Sequence, residues 1–247
     1  MILKPDTKML IAIPSKNRAG NTTTNKILPN IGTFYVPESE IHQYQSYIKN
    51  VVGVPNDVRG ITATRNWILK NTEERYVVFV DDDVKYAGYT KMAKYKALKI
   101  EIKDEAFWFN EFYKFFDMCE ELKYKIWGLK TESATRSVCP YKPFNFKAYV
   151  TASCMGMIND GEYLFDEAYK VKEDYEICLR HIRNKGGILA VRYLHWENEH
   201  WTTDGGCKDY RTVKMEKDAI KLLARSYPGM VRRATSNANK FTIELNL

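Results

Sequence analysis

Tyr76-Val77-Val78-Phe79-Val80-Asp81-Asp82-Asp83 is the stretch from which the fold can be read. Five apolar residues without polar alternation suit a strand covered on both faces, as in the parallel sheets of α/β domains. Upstream, Met9 to Ile13 reads as a buried strand closed by Pro14, with the loop Pro14-Ser15-Lys16-Asn17-Arg18-Ala19-Gly20 after it. Phe34 to Val36 and Val51 to Val54 are further short strands, and Asp57 to Lys70 is helical. Downstream, Phe109, Phe112, Phe116, Cys119 and Leu122 recur at three- and four-residue intervals, which predicts a helix over Glu105 to Lys125 with an aromatic core face. Trp127 to Leu129, Ala148 to Ile158 and Ile188 to Tyr193 are strand-like, and Lys130 to Lys147 reads as a long loop. Asp174 to Asn184 is helical and stopped by Gly186-Gly187, and Lys208 to Tyr227 is a basic helix. The alternation predicts one α/β domain, Rossmann-like, with a mainly parallel central sheet and helices on both faces. Residues 1–204 form its core, and residues 205–247 a basic helix and tail packed on the same domain.

The chain has 247 residues, enough to bury a core without disulfides or structural zinc. Its five cysteines are scattered and contain no CxxC pair, and no run of 18 apolar residues exists, so a reducing cytoplasm is expected and membrane insertion is not. The formal net charge of +7 is uneven. Lys85 to Lys103 holds six lysines and one acid, Gly205 to Leu247 is also net +5, and the remainder is −3. Such runs are solvated faces, or they flank a site for an anionic ligand or polymer.

Three carboxylates after a buried strand are costly unless a cation sits among them. Mg²⁺ or Mn²⁺ meets that need, taking a few carboxylate oxygens and completing its shell with water and phosphate. In open α/β sheets ligands bind beyond the carboxyl ends of strands, where Asp81 to Asp83 fall. Asp81 and Asp83 would project to one side of an extended chain. The plainer alternative is a solvated acidic turn.

Four stretches in order, Ile11-Ala12-Ile13-Pro14-Ser15-Lys16-Asn17-Arg18, Gly60-Ile61-Thr62-Ala63-Thr64-Arg65-Asn66, Val78 to Asp83, and Lys172-Glu173-Asp174-Tyr175-Glu176-Ile177-Cys178-Leu179-Arg180, resemble the landmarks of GT-A glycosyltransferases. That resemblance implies a nucleotide-sugar site with Pro14, Ser15, Asn17 and Arg18 near base and ribose. Arg65 would lie beside the diphosphate, or else pair with a nearby acid. Asp81 and Asp82 would face the donor and Asp83 the metal. Asp174, with Glu173 as fallback, would be the base that activates an acceptor hydroxyl in an inverting displacement, or else a helix-capping acid. His195, with His200 as alternative, would complete the metal shell. Lys208 and Arg211, after Gly205-Gly206, would close on the diphosphate.

The Pro-Ser-Lys-x-Arg-Ala opening, compact length and late Gly-Gly element resemble the TET-associated glycosyltransferases, a mainly bacteriophage family acting on 5-hydroxymethylcytosine in DNA. The resemblance implies a UDP-sugar donor, a DNA acceptor and no obligate protein partner. Lys85, Lys91, Lys94 and Lys96 are then candidate phosphate contacts, with Lys130 to Lys147 a wedge or cover for a flipped base. The alternatives are a glycosyltransferase for a polysaccharide, lipid or protein acceptor, or, from another class, a metal-dependent nucleotidyltransferase or nucleotide-sugar binding module.

Overall fold

A computed structural model describes residues 8–93, 96–130, 142–198, 211–233 and 243–246. A large central sheet carries helices on both faces, as the sequence predicts. Its strands are β1 (Met9–Pro14), β2 (Gly32–Pro37), β3 (Val51–Val54), β4 (Tyr76–Val80), β5 (Val84–Ala93), β6 (Lys96–Glu101), β7 (Ile126–Lys130), β8 (Phe144–Asn145), β9 (Cys154–Ile158) and β10 (Leu189–Asn198). The spatial order is β3-β2-β1-β4-β9-β7-β10-β5-β6, with β8 paired to β10. The run β3-β2-β1-β4 is parallel throughout, as is the β7–β10 pair. Strand β9 enters antiparallel between β4 and β7, and β5 and β6 form an antiparallel hairpin on the edge of β10.

The alternation along β4 explains the layering. Val78 and Val80 join the cluster containing Trp108, Phe112 and Phe116 of α3 (Glu105–Leu122). Val77 and Phe79 face Ile68 and Leu69 of α2 (Ile61–Lys70), together with Ile177 and Ile182 of α4 (Glu173–Lys185). A strand between two helical layers has no solvent face, which is why its sequence lacks polar alternation. The aromatic face of α3 is core, with the rings of Phe112, Phe115 and Phe116 around Trp127. Gly156 lets that indole lie flat against β9, since a Cβ there would meet Trp127 Cε2 at 2.1 Å.

Strands β5, β6 and the short β8 fall in stretches where none was expected, and two expected strands have other bounds. Strand β9 is confined to Cys154–Ile158, and β10 continues past Tyr193 through Leu194-His195-Trp196-Glu197-Asn198. The extension is held by pairing with β5, from Leu194↔Tyr89 to Asn198↔Val84. After α1 (Ile41–Gln45) and the helices above, α5 (Val213–Ser226) packs through Leu223 and Tyr227 against Tyr169 and Leu179. A short ribbon of β11 (Val231–Arg233) and β12 (Ile243–Leu245) follows it. No helix among the described residues is long and apolar enough to cross a membrane.

Candidate active site

A cleft of about 1050 Å³ opens at the carboxyl ends of β1 and β4. Its walls include Pro14, Ser15 and Arg18 after β1, Arg65 on α2, Asp81 to Asp83 after β4, Glu173 to Tyr175 opening α4, Asn198 ending β10 and Arg211 before α5. Three of the four sequence landmarks therefore meet the fourth, although up to 160 residues separate them along the chain.

The acidic triplet is fixed by its backbone. The Asp81 N–H donates to Ser153 O, and the Asp82 carbonyl accepts from the Thr23 and Thr24 N–H groups. The Thr24 hydroxyl donates to Asp81 O at 2.6 Å and accepts from the Val84 N–H at 3.0 Å. With the main chain held, the three side chains diverge. Asp82 is buried and receives the Ser15 hydroxyl and Arg18 Nη1, the latter at 2.5 Å. Arg18 Nη1 also donates to Asp83 Oδ2 at 3.0 Å. Asp81 turns toward Ser153 and Asn198, which donate to its Oδ2 at 2.9 and 2.8 Å, and lies 3.5 Å from Arg65.

Tyr44, absent from the sequence-derived site, supports this wall from the core. Its oxygen accepts the Arg18 N–H at 3.1 Å and lies 2.8 Å from Ser15 Oγ. Because the Ser15 hydroxyl donates to Asp82, Tyr44 donates to Ser15, giving a directed chain that ends on the carboxylate. Asn17 takes the left-handed conformation at φ 56°, tolerable for asparagine, and its N–H binds Glu40 Oε2 at 2.7 Å. Asn17 thus shapes the loop without lining the cleft, whereas Pro14, Ser15 and Arg18 do line it.

Arg65 pairs with acids on two elements. It is buried between the rings of Phe79 and Phe165, with Nη1 2.6 Å from Glu173 Oε1 and Nη2 3.5 Å from Asp81. Both of these acids line the cleft, as Arg65 itself does. Gly60, at φ 87°, makes the turn that starts α2 and so sets the guanidinium in place. Asp174 keeps partial access to the cleft and accepts the Tyr175 N–H at 2.9 Å. Acids at the start of α4 and Arg183 and Lys185 at its end complement the helix dipole, while the N-cap position is Lys172, with no side-chain cap hydrogen bond.

Burial raises the titrating carboxyls. It pushes Asp83 up to about 7, aided by Asp81 and Asp82 and opposed by Arg18. Burial and the adjacent Asp174 push Glu173 up to about 7, while Arg65 opposes them. Asp174 is also raised by burial, against Arg65 and Lys172, and Asp82 by burial, against Arg18.

The residues fit a hard divalent cation at one point. Asp83 Oδ1 is buried without a hydrogen-bond partner among the described residues, as is Asn198 Oδ1 at the same end of the sheet. Among the described residues no three His, Cys, Asp or Glu side chains converge as a metal cluster, so water and phosphate oxygens would have to complete the shell. His195 lies inside β10, opposite Gly88 and stacked on Tyr86 at 5.5 Å, and it is not part of the cleft wall. Its expected place beyond the strand is corrected by the extension of β10, which brings Asn198 to the cleft instead. His200, Lys94, Lys208 and Gly205-Gly206 lie outside the described residues, as do 131–141 of the proposed cover. Lys85 and Lys91 are exposed on β5 away from the cleft wall, and Lys96 begins β6. Arg211 lines the cleft and pairs with buried Glu216, which also holds Lys172 at 3.2 Å.

Solved structures share this fold at low identity. S. aureus TarS 1-349 in complex with UDP-GlcNAc matches with a TM-score of 0.50 and 14% identity, over 94% of this chain and 68% of that one. Glucosyl-3-phosphoglycerate synthase from Mycobacterium tuberculosis, in complex with Mn²⁺, UDP and phosphoglyceric acid, matches with a TM-score of 0.51 and 12% identity, over 98% and 87% of the two chains. No curated protein sequence matches. The profile of the TET-associated glycosyltransferases matches residues 9–206, which include the loop after β1, the acidic triplet and the start of α4. The chain is a GT-A glycosyltransferase and belongs to the TET-associated glycosyltransferase family.

Proposed function

We propose that the protein transfers a sugar from a UDP-sugar to the hydroxyl of 5-hydroxymethylcytosine in DNA, with inversion and with Asp174 as base. One observation carries the reading: a single cleft holds both the Asp81–Asp83 triplet and the Glu173–Asp174 turn, joined through Arg65. The family and the UDP-containing relatives of the same fold support the donor, and the net +7 charge suits a polyanionic acceptor.

In this reading the donor lies between the loop after β1 and the acidic triplet. Arg18 and Asp82 fix that wall, and Arg65 holds the two acidic elements at constant separation. Asp83, with Asn198 nearby, would hold Mn²⁺ or Mg²⁺, which when bound offsets the charge developing on the departing diphosphate. Asp174 takes the proton from the acceptor hydroxyl as its oxygen bonds to the anomeric carbon and the bond from that carbon to the diphosphate breaks. The upward shift of Asp174 makes it a stronger base than an ordinary aspartate, and turnover therefore falls as pH drops through its raised pKa.

The test is transfer to hydroxymethylated duplex from a panel of UDP-sugars, read as a mass increment on the DNA, with and without chelator. Product bearing the inverted anomer, lost on chelation and on Asp174→Asn, is the expected result. Turnover of a free sugar or peptide with none on DNA would overturn the acceptor assignment, and full activity of Asp174→Asn would overturn the base.

A further inference from the structure

We infer that Glu216 of α5 is a positioning residue for the Glu173–Asp174 turn: it holds Lys172, the residue from which α4 starts, and through it the aim of Asp174. The inference rests on the reading of Asp174 as base and extends the working parts of the site to a helix outside residues 9–206, the span of the family profile. Lys172 takes the left-handed conformation at φ 61°, which residues with a side chain rarely adopt, and no side-chain hydrogen bond caps the helix there. Its backbone fixes the first turn of α4, because its carbonyl accepts the Glu176 N–H at 3.1 Å. Glu173 and Asp174 are the first two residues after it, so a change in the Lys172 backbone angles re-aims both.

What holds Lys172 comes from α5. Its ammonium lies 3.2 Å from Glu216 Oε2, and the two side chains are only 8% and 6% exposed. Glu216 Oε1 also receives Arg211 Nε, so one buried carboxylate serves two cations that line the cleft. A second tie joins the same helices: the Tyr227 hydroxyl, just past the end of α5, donates to the buried Glu176 Oε1 at 2.7 Å. The first turn of α4 is thus gripped from both ends of α5. The Lys172 ammonium is felt at the base as well, since it opposes the effect of burial on Asp174. A misplacement of about 1 Å at this turn bears directly on the proton transfer.

The experiment compares wild type with Glu216→Gln, Lys172→Arg and the double variant Glu216→Gln/Lys172→Gly, with folding checked by circular dichroism. Two reactions are followed with the UDP-sugar that wild type turns over: transfer to hydroxymethylated duplex, and UDP release to water without DNA. Titration with UDP gives the affinity on the donor side. Positioning predicts that Glu216→Gln lowers kcat about 10-fold or more in both reactions, with a smaller change in UDP affinity. Lys172→Arg, which keeps the ion pair, should stay near wild type. Adding Lys172→Gly to Glu216→Gln should recover most of the loss, because glycine adopts φ 61° without a tether. Unchanged kcat in a less stable Glu216→Gln protein, a loss confined to UDP affinity, or a double variant no better than Glu216→Gln overturns the inference. If Asp174→Asn abolishes transfer and Glu216→Gln leaves it intact, the positioning role falls and the proposed function stands. If wild type releases UDP but never modifies DNA, and Glu216→Gln slows that release, the positioning role stands and the acceptor assignment falls.

Discussion

At the cleft, Asp82, Arg65 and Glu173 are buried and each meets an opposite charge, whereas Lys85, Lys91 and Lys99 of the β5–β6 hairpin stand at the surface, where Lys99 pairs with Glu197 while both stay about half exposed. The hairpin contributes most to the local formal charge and little to the shape of the site. The cleft has nearly balanced charges, and Asp82 and Glu173 are held by arginines from distant parts of the chain. Charge density along a sequence therefore marks surface, while charge function follows from burial and from what closes around each group.

The comparison breaks if cleft substitutions prove mild. Asp174→Asn keeps size and polarity but removes the base, and kcat should fall about 10²- to 10⁴-fold with donor affinity retained. Steady-state kinetics and donor titration check this. Arg65→Met removes the cation between Asp81 and Glu173, leaving the buried Glu173 carboxylate uncompensated, so urea unfolding should show a loss of about 3–5 kcal/mol. A loss below 1 kcal/mol would mean that the pair is only a surface contact.

His181 tests burial of a titrating group away from the cleft. Its Nε2 accepts the Lys125 N–H at 2.9 Å and its Nδ1 lies 2.8 Å from Gly187 O, so the ring is neutral with the proton on Nδ1. Burial lowers its pKa from 6.5 to about 4. Between those values the unfolded chain binds a proton that the folded chain does not, so this stability is complete above 6.5 and declines as pH falls toward 4. The loss should be of order 3 kcal/mol and absent from His181→Gln, as followed by unfolding midpoints across that pH range. The smallest effect belongs to the hairpin, where Lys99→Ala should cost about 0.2–1 kcal/mol in the same unfolding assay. Lys91→Glu sharpens the other side of the contrast: if the hairpin tracks a DNA backbone, the salt dependence of binding should flatten by about one unit of slope.

The strand at Tyr76–Val80 is legible residue by residue because burial on both faces leaves a continuous apolar run, and the partly exposed edge strand at Val51–Val54 is legible from its valines and the proline that closes it. The β5–β6 hairpin was not, since Lys85, Tyr89 and Lys91 carry no apolar alternation and their pairing comes from the edge of β10. For the same reason His195 read as a residue beyond the strand. The acidic triplet and the Glu173–Asp174 turn could be found from local motifs. Arg18 and Arg65 stand in such motifs too, but which acid each meets could not be read: Arg18 meets Asp82 across 64 residues and Arg65 meets Glu173 across 108, and nothing in either neighbourhood encodes the other. Tyr44 carried no signal because its contribution is a hydroxyl delivered by a five-residue helix.

The threonine clamp on the acidic triplet has a consequence in time. Asp81 and Val84 donate their amides to Ser153 and Thr24, groups from separate parts of the chain. Exposing either amide to solvent requires parting β4 from β9 or lifting the segment after β1. Hydrogen exchange at these two positions should therefore keep pace with the slowest amides of β4 rather than with the surface turns. The triplet would then behave as part of the rigid frame, and the motions that admit substrate and release product fall to the elements around it.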